Sequence, residues 1–232
     1  MGWLNNAHSF TASVFRGTRG LFANKPAAIQ PEQPLELYEF EACPYCRKVR
    51  EVLSEMDLEY IARPCARGSS TREKVIGIGG KRMFPYFVDP NTGTEMYESE
   101  DIITCLMETY GSGRSRLSRA VSPLNSLTSS LASWVRPRGM FAKARAKDRA
   151  QPAKLLELYN FEASPYCRKA REALCSHNLD YLVHNVAKGS ARRPELVERG
   201  GRMMVPYLID PNTGTEMYES DDIVLYLGRV YG

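Results

Sequence analysis

Residues Leu35–Gly111 and Leu156–Gly232 align at one constant offset without a gap and are identical at about half of their positions. A chain with such a repeat builds one supersecondary unit twice, so its fold is set by what a single copy can form. Each copy opens on an alternating apolar run, LELYEF or LELYNF, which predicts a strand, and then takes helical spacing from Pro44 or Pro165. A second strand is expected at Leu58–Ala62 or Leu179–Val183 and a short helix near Glu73 or Glu195. Strands at Phe84–Asp89 or Val205–Asp210 and at Glu95–Tyr97 or Glu216–Tyr218 flank the tight turn Asp-Pro-Asn-Thr-Gly-Thr, and a last helix follows. The order is β-α-β-α-β-β-α, and the fold class is α/β with two tandem domains, 35–111 and 156–232.

The repeat extends upstream. Ala12-Ser13-Val14-Phe15-Arg16 and Arg19-Gly20-Leu21-Phe22-Ala23 recur as Ala132-Ser133-Trp134-Val135-Arg136 and Arg138-Gly139-Met140-Phe141-Ala142. The N-terminal segment, 1–34, is thus echoed at about 122–155. Residues 1–30 contain no acidic residue, which fits an organelle transit peptide, yet a presequence has no reason to recur in mid-chain. A cytoplasmic location is expected, with an organelle after transit-peptide removal as the alternative. Between the copies, 112–155 forms a basic connector, because Ser112–Lys154 holds ten Lys or Arg and only Asp148 against them. Ser122-Pro123 can start a helix, and Leu124, Leu127, Leu131, Trp134 and Val135 recur at helical spacing until Pro137. That amphipathic connector helix can pack on the domains or touch a membrane surface peripherally.

No apolar run approaches the ~18 residues of a membrane span. Nucleic acid is not expected as a partner. Six cysteines in 232 residues are too few for a disulfide scaffold, and the CxxC spacing of two of them suggests a reducing compartment. Cys65, Cys105 and Cys175 face Val186, Tyr226 and Ser54 in the other copy and read as packing residues. His8, His177 and His184 have no ligand spacing, and no metal is expected.

Chemistry concentrates at Cys43-Pro44-Tyr45-Cys46-Arg47-Lys48. After a strand and before a helix, Cys43 meets unpaired backbone N–H groups and the positive end of the dipole, which favour thiolate. Arg47 and Lys48, one turn on, add positive charge, so a thiol pKa of about 8.5 is expected to fall towards or below neutrality. Cys46 is placed to attack a mixed disulfide on Cys43. By itself a CxxC also fits half a zinc site or chance.

Three motifs taken in order, Cys43-Pro44-Tyr45-Cys46, Phe84-Pro85 and Glu98-Ser99 followed by Asp101-Ile102, make each copy resemble the glutathione S-transferase N-terminal domain of the thioredoxin-like fold. The first copy also carries the CPYC of glutaredoxins. The resemblance implies that Pro85 is cis and that Phe84 offers its backbone to the cysteinyl part of glutathione. It implies that Glu98 and Ser99 bind the γ-glutamyl end, and that Arg82 can reach the glycine carboxylate. With Tyr45 these form the expected glutathione site around the catalytic pair Cys43 and Cys46. In the second copy Tyr166, Cys167, Val205, Pro206, Glu219 and Ser220 are the matching residues, but Ser164 replaces Cys43 and Met203 replaces Arg82.

A glutathione transferase continues into an all-helical domain that builds its electrophile pocket, whereas this chain continues into a second copy. The resemblance therefore implies a glutathione-dependent thiol-disulfide oxidoreductase with glutathione as cosubstrate and protein or small-molecule disulfides as partners. The second copy is expected to bind glutathione or dock substrate. Alternatives are a glutathione transferase of unusual architecture, a non-catalytic glutathione-binding or scaffold protein, and an iron-sulfur cluster shared between two chains. The chain is expected as a monomeric pseudo-dimer or a homodimer.

Overall fold

A computed structural model describes residues 19–113, 129, 138–147 and 149–232. The first copy comprises β1 (Leu35–Glu39), α1 (Pro44–Glu55), β2 (Tyr60–Pro64), α2 (Ser70–Gly79), β3 (Tyr86–Asp89), β4 (Thr94–Met96) and α3 (Ser99–Thr109). The second repeats it as β5 (Leu156–Asn160), α4 (Pro165–Ser176), β6 (Tyr181–Asn185), α5 (Arg193–Gly200), β7 (Tyr207–Asp210), β8 (Thr215–Met217) and α6 (Ser220–Val230). The expected β-α-β-α-β-β-α order therefore holds in both. The expected connector helix lies outside the described residues except for Ser129, as does the upstream repeat at Ala12–Arg16 and Ala132–Arg136.

Both second strands begin two residues later than their apolar patterns suggest. Asp57 and Asn178 turn at φ of 55° and 53°, so Leu58 and Leu179 are buried in the turn ahead of the strand. Their N–H groups bond back to Leu53 and Leu174 rather than to a neighbouring strand.

The two copies share one eight-stranded sheet in the order β4-β3-β1-β2-β6-β5-β7-β8. Within each copy the first two strands are parallel and the others antiparallel, while β2 and β6 join the copies antiparallel around Ile61 opposite Leu182. Antiparallel pairing across this seam relates the copies by a pseudo-twofold axis. A single apolar core runs through both, from Leu35, Leu37, Val49 and Leu53 to Leu156, Leu158, Leu174 and Leu179. Smaller clusters around Val75 and Leu196 place α2 and α5 against the sheet. Burying each such side chain is worth roughly 1.5–3 kcal/mol, so the seam belongs to the core of the molecule.

Straps preceding each copy reach across to the other. Ala23 N donates to Lys188 O (2.8 Å) and Lys188 N to Leu21 O (2.9 Å), after which Ala27 N returns to Met56 O (2.8 Å). Equivalently, Arg67 N donates to Met140 O (2.7 Å) and Ala142 N to Arg67 O (3.0 Å). Gly20 and Gly139 make these crossings possible. Both have positive φ, and a Cβ there would fall 2.9 Å from Glu162 Cβ or 2.8 Å from Glu41 Cβ.

Ion pairs flank the seam in symmetric places. Arg63 bonds Glu36 (2.8 Å) and Asp180 (2.6 Å). Its mate His184 bonds Glu157 (2.9 Å) and Glu59, with Arg192 also on Glu59 (2.9 Å). Burial lowers the His184 pKa, but hydrogen bonds to Glu157 and Glu59 and their charges prevail and hold it at about 9. A pKa raised on folding from 6.5 gives stability that is complete below pH 6.5 and lost as pH rises through about 9. Urea unfolding should therefore show a loss on the order of 3 kcal/mol across that window, and His184→Gln should flatten it relative to the parent.

Candidate functional site

The backbone between β1 and α1 positions the first sulfur. Cys43 is the N-cap of α1, with extended φ and ψ of −74° and 121°, and Pro44 fills the first helical turn where no N–H is needed. Its Sγ accepts from Cys46 N at 3.3 Å and lies 4.0 Å from the Phe84 carbonyl oxygen. Phe84-Pro85 is a cis peptide, as is Val205-Pro206 in the second copy. The cysteine helix and the cis-proline loop thus meet at Cys43, and the same helix is tied to the start of α3 by the Lys48–Glu100 pair.

Glu98 shows local strain. It sits at φ 68° and ψ 112°, a region costly for a side-chain-bearing residue, and Glu219 repeats this at 66° and 112°. Both side chains are exposed at a helix start while Ser99 and Ser220 are buried. Such a turn presents an acidic side chain beside helix N–H groups, which suits a zwitterionic amine and carboxylate.

Burial opposes the Cys43 thiolate, but hydrogen bonds from the Cys46 thiol and from the Cys46 and Tyr45 N–H groups, together with the Arg50 charge, outweigh it and lower the pKa. Burial and the bond donated to Cys43 push Cys46 well up. Burial likewise raises Cys65, Cys105, Cys167 and Cys175.

The expected sources of positive charge are corrected by the structure. Lys48 pairs with Glu100 at the start of α3, so it ties the cysteine helix to the Glu98-Ser99 turn. Arg47 is turned into the interface between copies, 3.9 Å from Glu162. Arg50, a further turn along, is the cation among the largest influences on Cys43.

Tyr45 is half-exposed at the start of α1. Arg82 stands at the surface, where its Nη2 donates to both Glu73 carboxylate oxygens (2.7 and 2.8 Å). A cation that sequence reasoning missed is closer: the Arg72 guanidinium lies 4.6 Å above the Phe84 ring and 5.3 Å from Phe40. The matching Arg193 instead bonds the Val186 and Ala187 carbonyls (3.3 and 3.0 Å), so sequence identity at that position does not reveal the difference.

In the second copy Ser164 Oγ accepts from Cys167 N at 3.2 Å, reproducing the sulfur's cap geometry with an oxygen. Tyr166 is half-exposed, Cys167 is buried, and Val205 and Pro206 form the cis loop opposite. Among the described residues, no group of His, Cys, Asp and Glu could hold a metal ion, and no helix is long and apolar enough to cross a membrane.

The model for the glutathione S-transferase N-terminal domain matches residues 37–115 and again 158–232. The chain belongs to that family. Its two copies are therefore glutathione S-transferase N-terminal domains with the thioredoxin-like fold. Glutaredoxin 3 of Escherichia coli strain K12 is 32% identical over 53 residues, 23% of this chain and 64% of that protein, and two further strains give the same figures. The chain thus spans just under two thirds of the length of these curated relatives. A trimeric glutathione transferase of Leishmania aligns over 86% of this chain and 67% of its own, at 14% identity and a TM-score of 0.32.

With Cys43 alone favouring thiolate among six cysteines, iodoacetamide at neutral pH should modify it first. Peptide mapping after brief labelling checks this, and uniform labelling would remove the assignment.

Proposed function

We propose that the chain is a glutathione-dependent thiol-disulfide oxidoreductase in which Cys43 is the nucleophile. The observation that carries the reading is a sulfur with a lowered pKa capping α1, beside the Phe84-Pro85 loop and the strained Glu98-Ser99 turn. Family membership supplies glutathione as the ligand these turns suit.

In the proposed cycle the Cys43 thiolate attacks the glutathione sulfur of a protein-glutathione disulfide. The Cys43-glutathione disulfide forms, and the protein sulfur leaves as a thiolate that takes a proton from water. A second glutathione thiolate then attacks the glutathione sulfur, releasing oxidised glutathione and restoring Cys43. In this route Cys46 stays reduced and donates its S–H to the Cys43 thiolate. Its raised pKa and full burial support that part over a resolving thiolate. The same cycle serves small disulfides. The second copy, with Ser164 at the cap, is proposed as a glutathione-binding or docking copy, because its cis loop and Glu219-Ser220 turn keep the same geometry.

Deglutathionylation of a glutathionylated peptide should vanish in Cys43→Ser. Cys46→Ser should retain most activity because a hydroxyl still donates, whereas Cys46→Ala should raise the thiol pKa and lose roughly ten-fold at neutral pH. Equal abolition in both Cys46 variants would indicate an obligatory dithiol route instead.

Ser164→Cys should add a second fast-labelling thiol with a lowered pKa, since the Cys167 N–H is already aimed at that position. A new thiol that titrates like a free cysteine would leave the second copy a structural partner only.

A further inference from the structure

At the pseudo-twofold axis the loops carrying Cys43 and Ser164 are tied to each other by buried charge. Arg50 on α1 donates through Nη2 to the Glu41 carbonyl (3.4 Å), two residues before Cys43, and bonds the Glu39 carboxylate through Nη1. Its remaining face is held by the second copy, with Nε to Glu162 Oε2 at 3.0 Å and Nη2 to Oε1 at 3.4 Å. Arg171 on α4 mirrors it. It donates to the Phe161 and Glu162 carbonyls (3.4 Å each) and is gripped by Glu41 through two bonds of 3.1 Å. Each loop acid thus gives its carbonyl to the arginine of its own copy and its carboxylate to both arginines, since besides the bonds across the axis Glu41 reaches Arg50 at 3.3 Å and Glu162 reaches Arg171 at 2.9 Å. The result is a closed ring, Glu41–Arg171–Glu162–Arg50. All four side chains are 4% exposed or less, and Gly20 and Gly139 of the straps lie directly on Glu162 and Glu41.

We infer that Glu162 of the second copy is a positioning residue for Cys43 of the first: it fixes the guanidinium of Arg50, and Arg50 fixes the backbone that presents the sulfur. The inference rests on Cys43 being the reactive thiol. It gives the second copy a role that does not require a nucleophile at Ser164, since the bracing groups are Glu162 and Arg171. A guanidinium is suited to this because its rigid fork can serve a carboxylate and a carbonyl at once, which an ammonium cannot do in the same geometry.

The full-length protein tests this through the second-order rate of Cys43 alkylation by iodoacetamide between pH 5 and 9, alongside the thermal midpoint and far-ultraviolet circular dichroism. Glu162→Gln should slow Cys43 at pH 7 by five-fold or more and move its titration upward. Arg50→Lys, which keeps a cation beside the sulfur, should do the same, and it decides the matter if Glu162→Gln does not fold. Glu59→Gln breaks a different pair between the copies and should lower the midpoint without changing the Cys43 rate. An unchanged rate in Arg50→Lys, or faster alkylation in Glu162→Gln, would show that Glu162 acts only as a charge opposing the thiolate and would overturn the inference. A parent protein whose Cys43 shows no preferential alkylation would instead defeat the oxidoreductase reading itself.

Discussion

The buried charge network at the axis between the copies is the interaction on which the arrangement depends. Arg47, Arg50, Arg168 and Arg171 converge there with Glu39, Glu41 and Glu162, all essentially excluded from water. Removing such groups from water costs several kcal/mol per ion, a cost that is offset where a strong donor meets a carboxylate or a carbonyl. Arg50 and Arg171 meet that requirement and their pKa values are raised. Arg47 and Arg168 meet it less fully: burial lowers both, and Arg168, with Arg47 repelling it, falls to about 10. Apolar burial along the β2–β6 seam provides stabilisation, while the ion network fixes register, since Arg50 meets Glu162 in one relative placement of the copies.

That placement reaches the chemistry through short lever arms. Glu41 and Glu162 each stand two residues before the capping position of their copy, and Arg50 and Arg171 each lie on the helix that the cap begins. The straps add a second layer by covering the same acids with glycines, so access of water to the network depends on segments that precede the folded units. The duplicated upstream motif is explained by this: Arg19–Ala23 and Arg138–Ala142 recur because each strap performs the same crossing.

Much of this was legible in the sequence because a gapless repeat lets each copy check the other. The element order followed from periodicity and turn chemistry, and the cysteine, cis-proline and Glu98-Ser99 motifs each fell at an element boundary that the topology brings together. The second strands begin two residues later than the apolar pattern suggests because Leu58 and Leu179 satisfy that pattern equally well in a buried turn. The charges were harder to read. Arg47, Lys48 and Arg50 look alike on one helix, yet one faces the axis, one pairs with Glu100 and one braces the cysteine loop. Helical spacing gives a side chain's face but not the partner that a second copy will place against it. Arg72 shows the complementary limit, since its mate Arg193 is the same residue yet takes different bonds, with Val205 standing where Phe84 offers its ring.

Residue 39 and its mate show why two copies on one chain differ from two identical chains. Glu39 is fully buried, and burial with repulsion from Glu41 and Glu162 exceeds the help of Arg50, so its pKa rises to about 7. A carboxylate in that condition is only partly ionised at neutral pH and already strains the charge balance of the network. An identical partner chain would repeat it at the symmetric position. Here Asn160 stands there and accepts from Arg171 at 2.9 Å without carrying charge. The arginine keeps its bond to the loop, while the network avoids a second desolvated carboxylate beside Glu39. Covalent linkage thus permits one half of a symmetric cluster to be neutral and the other charged, and the charged half is the one whose loop carries Cys43.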